Sequence, residues 1–79
     1  MADFEKLLAQ VQKSVELFVK YKISSAEDVQ DVLQETYLTA YQKFGQLKNA
    51  DAFKPWIISI ARNKCNDYFR NKAAVLEIP

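Results

Sequence analysis

Apolar residues in the first quarter of the chain return every three or four positions: Phe4, Leu7, Leu8, Val11, Val15, Phe18 and Val19. That period stacks them on one side of an α-helix, for which Asp3 is a suitable N-cap. The opposite side carries Glu5, Gln12, Lys13, Glu16 and Lys20, and reads as solvated. Lys20-Tyr21-Lys22 then places cations in the last turn, where they complement the helix dipole. A second helix is predicted to start at Ser24-Ser25, because either serine has an acidic residue three positions on, Glu27 or Asp28. It runs to about Phe44 and stops at Gly45, with Val29, Leu33, Ala40 and Phe44 inward and Thr36 and Tyr37 between them. Residues 46–52 (QLKNADA) form a polar connection with Asn49 and Asp51 as turn formers. Pro55 opens a third helix, since a first turn has no use for the N–H that proline lacks. Trp56, Ile57, Ile60, Ala61, Cys65, Tyr68 and Phe69 supply its core side, Trp56 as an anchor rather than a stacking platform.

These elements predict an all-α fold, a compact bundle of about three helices over residues 1–72. From Ala73 the sequence AAVLEIP loses helical phasing, and 73–79 reads as the start of an interdomain linker or a truncated tail. The composition agrees with a folded helical chain: 49% hydrophobic and 13% aromatic residues argue against disorder, and one glycine leaves little punctuation for a many-stranded sheet.

Two polar faces remain once the core stripes are assigned. On the third helix Ser59, Arg62, Asn63, Asn66 and Arg70 share one side, which carries donors and no carboxylate. Guanidinium and amide groups suit phosphate oxygens and base edges, so nucleic acid is the partner to test, against the plainer reading of a solvated side. On the second helix Asp31, Gln34, Glu35, Leu38 and Tyr41 step by three or four, an acidic face with an aliphatic and an aromatic residue embedded in it. Such a face fits a protein partner as well as it fits water.

The net charge of +1 hides an asymmetry that follows the same division. Residues 1–51 hold six basic and eight acidic side chains, whereas residues 52–79 hold five basic and two acidic. With no histidine and one cysteine, neither a zinc site, a Cys/His pair nor a disulfide can be assembled. Asp67, Glu77 and Cys65 offer no acid/base pairing either, so the expectation is a non-enzyme without cofactor or metal. Neither a membrane span nor a signal peptide is visible, and a cytoplasmic setting is expected.

The segments AEDVQDVLQETYLTAYQKF (26–44) and FKPWIISIARNKCNDYFR (53–70) resemble the second conserved region of bacterial RNA polymerase sigma factors, most closely the extracytoplasmic-function (ECF) group. Both motifs occur in the family's order with its usual short gap. The resemblance implies a transcription initiation domain whose Asp31, Gln34, Glu35, Leu38 and Tyr41 bind the clamp helices of the largest subunit of core RNA polymerase. It implies also that Arg62, Asn63, Asn66 and Arg70 contact the melted non-template strand of the promoter minus-ten element, with Lys48, Asn49 and Lys54 at a pocket for a turned-out base. An anti-sigma factor is a further partner that the group implies. The chain departs from the family in having Gln30 where an acidic residue is usual, and Arg70-Asn71-Lys72 where an arginine cluster is common. The family's helix-turn-helix domain does not follow Pro79, so an excised or truncated domain is expected. The alternative is a helical protein-interaction module without DNA activity.

Overall fold

Asp3 caps the first helix through its carboxylate, which accepts from the Glu5 N–H at 3.0 Å. In the computed structural model, which describes residues 3–76 and the side chains as far as Ala73, α1 spans Phe4–Lys22. Of the two serines that could open the next helix, Ser25 is the one used: its hydroxyl accepts from the Asp28 N–H at 3.4 Å, and α2 spans Ala26–Lys43. Two short 3₁₀ turns, Phe44–Gln46 and Ala50–Ala52, carry the chain into α3, which spans Phe53–Leu76. The described residues are thus an all-α bundle of three helices, each packed on the other two. The expected boundary at Lys72 falls within α3, and residues 77–79 lie outside the described part of the chain.

The buried core is Val15 and Val19 of α1, Val29, Val32, Leu33 and Ala40 of α2, and Phe53, Ile57, Ala61 and Cys65 of α3, with Ile23 sealing the α1–α2 connection. Each large aliphatic side chain so buried contributes about 1.5–3 kcal/mol. The one buried polar side chain among them, Thr36, donates its hydroxyl to the Val32 carbonyl at 2.8 Å, so it is satisfied within its own helix. Four aromatic rings close the end of the bundle next to the 3₁₀ turns. Phe4 meets Phe44 and Phe53 edge-on at centroid distances of 5.3 and 5.8 Å, and Trp56 leans on Phe53 at 5.7 Å.

Three buried residues were absent from the expected stripes: Ile23, Val32 and Phe53. Phe69, expected in the core, is 43% exposed. Its place on the helix explains this: it lies two turns from the exposed Arg62 and three residues from the exposed Asn66, at the flank of the core line rather than within it. As expected, α2 ends just before Gly45. The glycine lies inside the 3₁₀ turn that follows α2, with no positive φ and open space where a Cβ would project. Gly45→Ala should therefore stabilise the domain by about 0.4–1 kcal/mol, chiefly by restricting the unfolded chain, and thermal melting will show it as a higher Tm.

Candidate functional site

Because Val29, Val32, Leu33, Thr36 and Ala40 turn one side of α2 inward, the opposite side is left to solvent. Asp31, Gln34, Glu35, Leu38 and Tyr41 all lie there, exposed. Leu38 and Tyr41 are 58% and 67% exposed, which adds apolar surface to an otherwise polar face. The Tyr41 ring is steadied by an edge contact with Phe4 at 5.5 Å. Asp31, Gln34, Glu35 and Leu38 border a shallow open groove of about 500 Å³.

On α3 the buried line Phe53, Ile57, Ala61, Cys65 fixes the opposite side as the outward one. Arg62, Asn63, Asn66 and Arg70 are exposed along it. The Arg62 guanidinium lies 5.8 Å from the centroid of the Phe18 ring on α1, a cation–π contact. Arg70 pairs with Asp67 at 3.1 Å, but both side chains are more than half exposed, so the pair is worth at most about 1 kcal/mol and yields readily to a phosphate. Lys48, Asn49 and Lys54 lie apart from these, in and just after the segment that carries the 3₁₀ turns, and all three are exposed. Asn49 has a structural duty there: its Oδ1 accepts from the Asp51 N–H at 3.0 Å, which leaves its amide N–H groups and one lone pair of that oxygen for a ligand. Lys54 and Arg70 are separated by about 24 Å of helix, so the basic residues form a track rather than a point.

A feature without any local signal in the sequence lies between α2 and α3. The Tyr68 hydroxyl donates to Asp28 Oδ2 at 2.5 Å, a bond between residues 40 apart in the chain. That bond, followed by partial burial, pushes the Tyr68 hydroxyl above its ordinary pKa. Around it Asp28, Asp31, Glu35, Lys64, Asp67 and Lys72 edge an open cleft of about 570 Å³, so two members of the α2 face also border α3. Tyr37 is pushed up as well, first by burial and then by the charge of Glu16; the Gln12 amide offsets part of the rise but stands outside hydrogen-bond geometry. Burial likewise raises the Cys65 thiol, against a smaller opposing effect of Lys22, which makes it a core residue and a poor nucleophile. Among the described residues no group of His, Cys, Asp and Glu could hold a metal ion, and no helix is long and apolar enough to cross a membrane.

The family profile for sigma-70 region 2 matches residues 7–75, so it takes in α2, the 3₁₀ turns and nearly all of α3. The chain belongs to that family. This region 2 domain is 34% identical over 72 residues to a probable RNA polymerase sigma factor of Haemophilus influenzae, covering 91% of the chain and 36% of that protein. It is similar also to the ECF RNA polymerase sigma factor BldN of Streptomyces coelicolor, at 28% over 95% of the chain and 29% of the relative. With SigX, an ECF sigma factor of Bacillus subtilis, the identity is 25% over 91% of the chain and 37% of the relative. The region 2 domain thus spans about a third of the length of the curated relatives it matches. No solved structure matches it.

Proposed function

We propose that this domain works in transcription initiation by holding core RNA polymerase with α2 and the melted promoter strand with α3. Asp31, Gln34, Glu35, Leu38 and Tyr41 dock on the clamp helices of the largest polymerase subunit. Lys48, Asn49, Lys54, Arg62, Asn63, Asn66 and Arg70 bind the non-template strand of the minus-ten element, the first three around a turned-out base. No bond is made or broken; strand opening is driven by capture, in which binding of the unpaired strand offsets the few kcal/mol that unstacking a base costs. An anti-sigma factor competing for the α2 face is the corresponding route to inhibition. The observation that carries this proposal is the family match across residues 7–75, which covers both exposed faces at once.

A salt series with labelled single-stranded oligonucleotides tests the strand contacts. If about three cations meet phosphates, log affinity falls with log salt at a slope near −2, at about −0.7 per contact. Binding then weakens more than about tenfold between roughly 50 and 200 mM salt. Asn63→Ala should relax base preference more than it lowers affinity, whereas Arg70→Ala should weaken all sequences alike. An affinity indifferent to salt would leave α3 without a strand and favour the interaction module that uses α2 alone.

A further inference from the structure

The last two turns of α1 carry an exposed strip that the two faces described above do not use. Leu17 is 56% exposed and Tyr21 89%, on the outward side of α1. Beside them in the sequence, and turned toward α3, is the half-buried ring of Phe18, with Lys22 Nζ at 5.6 Å and the Arg62 guanidinium at 5.8 Å from its centroid. Arg62 is therefore shared: it belongs to the outward side of α3 and is also the point at which that side meets α1. Two turns further along α3, Phe69 adds a ring that is 43% exposed. None of these six residues is acidic.

Their order distinguishes between occupants. A protein interface has an apolar centre within a polar rim. Here aromatic rings and cations interleave, so that a base laid on a ring leaves its phosphate within reach of the next cation, the arrangement that single-stranded nucleic acid favours. Tyr21 presents an almost wholly free ring, which is costly to leave in water and well suited to stacking.

We propose that the strand track continues from Arg62 across the end of α1, with Tyr21 as a base-stacking platform and Lys22 as a phosphate contact. This rests on the strand-binding role of α3. The occupant is single-stranded DNA leaving the α3 stripe, and its affinity for the strip is tolerant of sequence, because every base has a face to stack.

The test is a titration of the 79-residue chain with a labelled mixed-sequence deoxyoligonucleotide, comparing the parent with Tyr21→Ala, Tyr21→Phe and Lys22→Gln. Melting curves of the variants should overlay that of the parent, since neither side chain is buried. Tyr21→Ala should weaken binding roughly fivefold to a hundredfold, the range for loss of one stacked base, while Tyr21→Phe keeps the ring and the affinity. Lys22→Gln should make the salt slope shallower by about 0.7. A parent that binds with Tyr21→Ala binding equally well overturns the α1 track and leaves α3 intact; a parent that binds no oligonucleotide overturns both. Tyr21→Ala that binds the strand normally but loses core polymerase would make the strip a protein face, and would also overturn the proposal.

Discussion

Glu35→Lys and Asp31→Lys are expected to abolish co-purification with core RNA polymerase while the melting curve and helicity stay nearly unchanged. Both carboxylates are exposed and neither makes a hydrogen bond or ion pair among the described residues, so the fold does not depend on them. Exposed substitutions of this kind usually stay within about 0.5 kcal/mol. At the proposed interface the balance is different. The reversed residue would set a cation against groups arranged for a carboxylate, and like charge placed across an interface costs several kcal/mol. Leu38, 58% exposed beside the groove, gives the same contact an apolar centre, so Leu38→Ala should weaken it to a lesser degree. Strand binding through α3 should survive all three changes. Polymerase association that persists in both reversals would place the docking surface elsewhere.

Phe53→Ala should be the most damaging single change to stability. The ring is 2% exposed and touches Phe4, Phe44 and Trp56, so its loss opens a cavity where all three helices and both 3₁₀ turns converge. A buried phenylalanine truncated to alanine costs about 3–5 kcal/mol. The whole domain is held by about 4–12 kcal/mol, taking roughly 0.05–0.15 per residue, so much of the population should unfold at physiological temperature. Urea denaturation will measure it as a lower midpoint. Trp56→Ala should cost less, because that ring is only partly buried. A Trp56→Ala variant that melts like the parent but no longer binds oligonucleotide would show that the ring stacks on a base instead of closing the core.

Helix phase was legible in the sequence because burial repeats with the turn of the helix. Phe4 to Val19, Val29 to Ala40 and Ile57 to Cys65 could be assigned without coordinates for that reason, and the outward sides followed by subtraction. Residues at the ends of elements obey no period. Ile23 is buried because the chain folds back there, and Phe53 because the second 3₁₀ turn aims it into the aromatic cluster. Val32 was missed although it does keep the phase, lying one turn before the satisfied Thr36. Phe69 sits at the flank of the core line, in phase with the exposed Arg62 as well as near the buried Cys65, and a period alone does not decide such a position. For the candidate interfaces the residue types and spacing could be read locally. The cleft between α2 and α3 could not, because no local pattern encodes a hydrogen bond across 40 residues.

That bond has a mechanical meaning. Apolar faces attract without direction, and three helices that meet through Val, Ile, Ala and Cys could slide along one another with modest loss of contact. The Tyr68–Asp28 bond is the only side-chain hydrogen bond among the described residues that joins two helices, and such a displacement would break it at a cost of about 1 kcal/mol. It acts as a detent at one end of the bundle, while the ring cluster around Phe53 acts as a stop at the other. Together they favour one axial offset between α2 and α3 and, on the function proposed above, one spacing between polymerase and a captured base.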